Sequence, residues 1–127
     1  MAAPNSGPLR ILLADDFAVV RTGLKKLLGD SGQWDVCGEA DNGLSAVEKA
    51  VELNPDVIVL DITMPVMNGL EAAREIRRLA PRTKIVIFSM HDSARMAQEA
   101  KQAGADAYVT KSSGIEDIER TIAGVLA

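Results

Sequence analysis

Val57-Ile58-Val59-Leu60-Asp61-Ile62-Thr63-Met64-Pro65 is the stretch on which the fold turns. Its first four side chains are apolar without alternation. A strand that is apolar on both faces belongs inside a sheet covered by helices on each side, and such sheets are mostly parallel. Four more short apolar runs lie outward from it: Leu9–Ala14 (LRILLA), Trp34–Ala40 (WDVCGEA), Lys84–Ser89 (KIVIFS) and Ala107–Thr110 (AYVT). With Val57–Asp61 they make five candidate strands.

Helical spacing fills the gaps between the runs. Val20, Leu24, Leu27 and Leu28 form one stripe; Leu44, Val47 and Val51 a second; Leu70, Ala73, Ile76 and Ala80 a third. Ile115, Ile118, Ile122 and Val125 form the last, preceded by Ser113-x-x-Glu116, the spacing of a capping box. Gly29 and Gly104 sit where helices are expected to stop. The segment Ala94–Ala103 offers only Met96, Ala97, Ala100 and Ala103, so its helix should be the least firmly docked. Five β-α units with right-handed crossovers predict a doubly wound, three-layer α/β sandwich around a parallel sheet. Chemistry in such a fold is expected beyond the carboxyl ends of the strands.

Composition narrows the functions. The chain has 127 residues, one domain's length, with 14 Lys and Arg against 18 Asp and Glu and a net charge of −4. That balance opposes a phosphate-backbone grip, and 3% aromatic residues leave little to stack on bases, so no nucleic acid is expected to bind through this domain. Cys37, the one cysteine, excludes an internal disulfide and suits a reducing cytoplasm. No apolar run approaches the roughly 20 residues of a membrane span. Residues 1–8 (MAAPNSGP) lack the basic and apolar parts of a signal peptide and read as a flexible tail ahead of a domain over 9–127.

At the carboxyl rim, the first strand ends in Ala14-Asp15-Asp16-Phe17, the third in Asp61, the fourth in Ser89, and the fifth is followed by Lys111. Three crowded carboxylates repel one another, and a hard divalent cation relieves that conflict. Oxygen-only ligands favour Mg²⁺, which shares its positions with water, one or two carboxylates and a phosphate. Asp61, held at the end of a buried strand, suits a nucleophile that forms an aspartyl phosphate. Ser89 and Lys111 can hold the phosphoryl oxygens.

These residues carry a resemblance. Asp15-Asp16, Asp61-Ile62-Thr63-Met64-Pro65-Val66-Met67-Asn68-Gly69, Ser89, and Gly104-Ala105-Asp106-Ala107-Tyr108-Val109-Thr110-Lys111 resemble, in order and spacing, the receiver domain of two-component response regulators. The likeness runs from about Leu9 to Ala127 and is closest to the subfamily whose receivers precede a helix-turn-helix output domain. It implies the flavodoxin-like strand order 2-1-3-4-5. It implies Asp61 as phosphoacceptor, Mg²⁺ held by Asp15, Asp16, Asp61 and the Thr63 carbonyl, and Asp16 as the more direct ligand of the acidic pair. Ser89 becomes the switch hydroxyl, Tyr108 the switch aromatic and Lys111 the phosphoryl-binding lysine. The implied partner is a sensor histidine kinase, with a homodimer on phosphorylation left open and DNA met only through an output domain outside these residues. The expected role is a signalling switch and not an enzyme. Phe17 departs from the His often found after the acidic pair, and Thr63 and His91 occupy positions that vary among receivers and affect phosphoryl loss.

Plainer roles stand beside these. Asp15-Asp16 also suits a turn after a strand, Ser89 a strand end, and Lys111 a solvated surface. Tyr108 serves equally as a packing residue. His91 has no ligand-spaced neighbour, Cys37 reads as a small core residue, and Met64, Met67, Met90 and Met96 read as gap-fillers. An Asp-nucleophile phosphatase would carry a second acid where Thr63 stands. A flavin carrier would place backbone donors where Asp15 and Asp16 crowd. The remaining alternative is an interaction module that has lost the chemistry.

Overall fold

The computed structural model describes residues 8–30 and 32–127, so the expected tail lies, but for Pro8, outside the described residues. Strands β1 (Leu9–Ala14), β2 (Trp34–Ala40), β3 (Val57–Leu60), β4 (Lys84–Ser89) and β5 (Ala107–Thr110) alternate with helices α1 (Ala18–Asp30), α2 (Gly43–Leu53), α3 (Gly69–Leu79), α4 (Ala94–Gln102) and α5 (Ile115–Leu126). The strands form one parallel sheet in the order β2-β1-β3-β4-β5. Asp61 falls one residue beyond β3 and not within it. Among the described residues no helix is long and apolar enough to cross a membrane.

Period-two alternation along the strands builds two cores. Ile11, Leu13, Val57, Val59, Val86 and Phe88 face one side, where Leu24 and Leu28 of α1 and Ile118 and Ile122 of α5 cover them. Leu12, Ala14, Ile58, Leu60, Ile85 and Ile87 face the other, under α2, α3 and α4. That second layer is made largely of alanine: Ala46 and Ala50, Ala72 and Ala73, and Ala100. Of the nine residues in α4 only Ala100 is fully buried. At about 25 cal/mol per Å² of apolar surface, one buried methyl group and a half-buried Met96 anchor a helix less than the pair of isoleucines under α5. The expected weak docking of α4 therefore holds.

Four local expectations change. Leu44 and Val51 are exposed, and α2 buries Gly43, Ala46, Val47 and Ala50 instead, because small residues let it lie close to α3 and the sheet. The capping box at Ser113 does not form. Ser113 lies in a 3₁₀ turn, Lys111–Ser113, and its hydroxyl donates to the Thr110 carbonyl (2.8 Å), while Gly114 at φ 98° starts α5. A capping box does form where none was expected, at Asn68 and Glu71 ahead of α3. Helix α1 passes Gly29 and ends at Asp30. Cys37 is half-buried because it is the extra residue of a bulge in edge strand β2, where Ile11 pairs with Val36 and Leu12 with Gly38. Burial still pushes its thiol pKa up.

Candidate functional site

Sheet pairing continues one residue past two central strands. The Asp15 amide donates to the Ala40 carbonyl (3.0 Å) and the Asp61 amide to the Ala14 carbonyl (2.9 Å). Both acids are therefore fixed by the ladder itself, and they are only 3% and 4% exposed. Asp16, one residue farther out, is exposed. One oxygen from each of Asp15, Asp16 and Asp61 lies within 4.8 Å of the others.

Lys111, just past β5, reaches back into this cluster. Its ammonium donates to Asp15 Oδ2 at 2.6 Å and stands 3.4 Å from Asp61 Oδ2. Asp15 Oδ1 accepts the Phe17 amide at 2.9 Å, so both of its oxygens are engaged. The rings of Phe17 and Phe88 each lie 5.8 Å from the ammonium, within reach of cation–π attraction. Burial, and next the neighbouring charge of Asp15, push the Asp61 pKa up to about 6, against the pull of Lys111. Three carboxylates and one ammonium leave a formal 1 − 3 = −2. An all-oxygen pocket lacking two positive charges fits a hard divalent cation of the Mg²⁺ type.

The remaining expected residues meet at a second point, the loop after β4. Ser89 is fully buried, and its hydroxyl accepts the His91 amide at 3.1 Å. The half-buried Tyr108 donates its hydroxyl to the His91 carbonyl. The His91 imidazole Nε2 pairs with the exposed Thr63 hydroxyl at 3.2 Å. His91, which had no expected partner, thus joins three site residues through its amide, carbonyl and ring. Met64 is buried and Met67 and Met96 are half-buried, as gap-fillers should be, whereas Met90 is exposed at 73%.

The loop after β3 is tightly shaped. Val66 has φ 70°, which is strained for a β-branched residue, and the Met67 amide returns to the Pro65 carbonyl at 2.8 Å. Gly69 opens α3 directly against the Asp61 carbonyl, leaving no room for a side chain. Gly43 does the same against the Met67 carbonyl. Sequence reasoning missed both approaches, although the Asn68-Gly69 pair is a visible signal for a close turn.

A doubly wound sheet with three acids and a lysine at its carboxyl rim defines a flavodoxin-like α/β domain with its site where ligands bind in that fold. Residues 11–123 match the response regulator receiver domain model, and the chain belongs to that family. The chemotaxis protein CheY of Thermotoga maritima is 44% identical over 102 residues, 80% of this chain and 84% of that protein. The response regulator GacA of Pseudomonas viridiflava is 38% identical over 119 residues, 94% of this chain but 56% of GacA. The chain therefore spans about half the length of that relative. A solved LuxR-family DNA-binding response regulator from Staphylococcus aureus superposes with a TM-score of 0.88 at 33% identity, covering 94% of this chain and 99% of that one. The chain is thus a receiver domain of the two-component response regulator family, a signalling module.

Proposed function

We propose that residues 9–127 form a phosphorylation-controlled switch in which Asp61 accepts a phosphoryl group from a sensor histidine kinase. The observation that carries this reading is the −2 pocket in which Asp61, with a pKa of about 6, stands 3.4 Å from Lys111. At neutral pH Asp61 is mostly ionised and nucleophilic. Its oxygen bonds to phosphorus as the P–N bond of the kinase phosphohistidine breaks; the departing nitrogen keeps the bonding pair, and the ring takes one proton from water to leave as neutral imidazole. Asp15, Asp16, Asp61 and the Thr63 carbonyl would hold Mg²⁺, which when bound neutralises the pocket for an incoming phosphate.

Phosphorylation gives Asp61 added charge and new acceptor oxygens. Lys111 pairs with them, and the Ser89 hydroxyl, which now only accepts from His91, turns to donate to them. The loop after β4 is drawn inward, Tyr108 follows through its bond to the His91 carbonyl, and the weakly anchored α4 shifts. The surface of α4, β5 and α5 then changes what it binds: an output region that regulates transcription, or a second copy. The shift is only as large as the difference in phosphoryl affinity between the two states.

Acetyl phosphate with Mg²⁺ should add one phosphoryl group per chain by intact mass, and a chelator should abolish the adduct. Labelling that persists in chelator overturns the metal site; steady turnover of phosphate esters would favour a phosphatase. Lys111→Ala should still accept the phosphoryl group yet lose the amide chemical-shift changes at Ser89, His91 and Tyr108 that mark the response. An unaltered response in that variant removes Lys111 from the switch.

A further inference from the structure

Arg21, in the first turns of α1, is not part of the acidic pocket but holds its frame. Its Nη1 donates to the Asp15 carbonyl at 2.5 Å and its Nε to Glu39 Oε1 at 2.9 Å. The side chain is 18% exposed, so the fork is largely shielded. The other Glu39 oxygen takes Lys25 Nζ at 2.8 Å, and these two cations hold the Glu39 carboxyl below the usual carboxylate range. Glu39 is thereby a charged brace that fixes the guanidinium from the end of β2.

The Asp15 carbonyl belongs to the peptide that links Asp15 to Asp16. That unit is planar, so fixing its oxygen fixes the direction in which Asp16 leaves β1. Asp15 has other anchors: the ladder, the Phe17 amide and Lys111. Asp16 has none, for its carboxylate is exposed and makes no hydrogen bond among the described residues. One oxygen of the Asp16 carboxylate nevertheless lies within 4.8 Å of those of Asp15 and Asp61.

We propose that Arg21 is a positioning residue for divalent-cation binding: its bond to the Asp15 carbonyl aims the Asp16 carboxylate into the pocket, with Glu39 and Lys25 holding Arg21 in place. The inference rests on the reading of Asp15, Asp16 and Asp61 as the Mg²⁺ site. It has a sign opposite to simple electrostatics. Arg21 is a cation beside a negative pocket, so removing its charge should by Coulomb attraction alone tighten cation binding. Removing a group that orients a ligand instead weakens it, typically by tenfold or more.

Titration calorimetry with Mg²⁺ on the full chain separates the two. Wild type, Asp16→Asn, Arg21→Met and Arg21→Lys are compared, each with its melting temperature in chelator. Arg21→Met should bind Mg²⁺ roughly tenfold more weakly than wild type. Arg21→Lys keeps the charge but not the two-pronged contact, and should lie between them. Arg21→Met binding as tightly as wild type or tighter overturns the proposal, even if its melting temperature falls, since that pattern describes a purely structural arginine. If Arg21→Met does not fold, Arg21→Lys decides: electrostatics predicts no change and positioning predicts weakening. Asp16→Asn tests the underlying site separately, because undiminished Mg²⁺ binding in that variant overturns the site reading whatever Arg21 does.

Discussion

Asp61→Asn is expected to abolish phosphoryl labelling and, with divalent ions chelated at neutral pH, to leave the protein more stable than wild type. The two effects share a cause. An acid held at the end of a buried strand is available as a nucleophile because the fold tolerates its charge at a cost. Its folded-state pKa of about 6 lies above the ordinary carboxylate value of 3.8. Between those values the folded chain binds more protons than the unfolded chain, so stability falls as pH rises from about 4 through about 6. In a dry site the gap amounts to about 3 kcal/mol; the pocket opens to water at Asp16, which reduces it to about 1–2 kcal/mol. Asparagine removes that penalty. The gain should therefore be full around neutral pH and vanish below about pH 4, where the wild-type side chain is protonated in both states. Chemical denaturation of both proteins across that range measures it. Asp61→Asn proving less stable at neutral pH would mean that attraction to Lys111 outweighs desolvation. Added Mg²⁺ should narrow the difference, because a ligand that binds only the folded wild type stabilises it by mass action.

Much of this molecule was legible in its sequence, and the limits have physical reasons. Strand positions were visible because burial on both faces imposes unbroken runs such as Val57–Leu60. The stripes of α1 and α5 were visible because Leu24, Leu28, Ile118 and Ile122 are large and truly buried. In α2 size does not report burial: the helix lies close to its neighbours on Ala46 and Ala50 and leaves Leu44 and Val51 in water. Ser113 and Asn68 both stand three residues before a glutamate, and only the backbone decides which becomes a cap. Ser113 was lost to the 3₁₀ turn after Lys111, which consumes its hydroxyl. The three acids and Lys111 could be assembled because each falls at the carboxyl end of a strand, the rim where chemistry in this fold sits. The contacts of His91 with Thr63, Ser89 and Tyr108, and of Arg21 with the Asp15 carbonyl, could not. Thr63 and Tyr108 reach His91 from distant segments, and the Ser89 and Arg21 bonds each pair a side chain with a particular backbone group; no spacing rule reports such pairs.

Gly69→Ala is expected to be a severely damaging methyl addition at the segment that carries Asp61. A Cβ at this position would stand 2.0 Å from the Asp61 carbonyl oxygen and 2.7 Å from the Ile62 Cα. Both are backbone atoms of the segment that carries the proposed phosphoacceptor, so no rotamer change can make room. The Gly69 amide also donates to the Ile62 carbonyl at 2.7 Å, and α3 cannot retreat without breaking that bond. Overpacking against backbone should cost about 3 kcal/mol or more. Any folded population must carry Asp61 displaced by the better part of an ångström, and misplacement on that scale lowers reaction rates by roughly a hundredfold. Denaturation and acetyl-phosphate labelling of the same sample measure the two losses together. Gly124→Ala is the matched control. It adds the same methyl group inside α5, where, apart from the helix's own backbone, nothing among the described residues lies within 4 Å of the new carbon, and helix propensity predicts a gain of up to about 1 kcal/mol with labelling unchanged. If Gly69→Ala were as stable as wild type, α3 would have to be free to slide on the loop after β3. The fixed placement of Asp61 would then have to come from the sheet ladder alone.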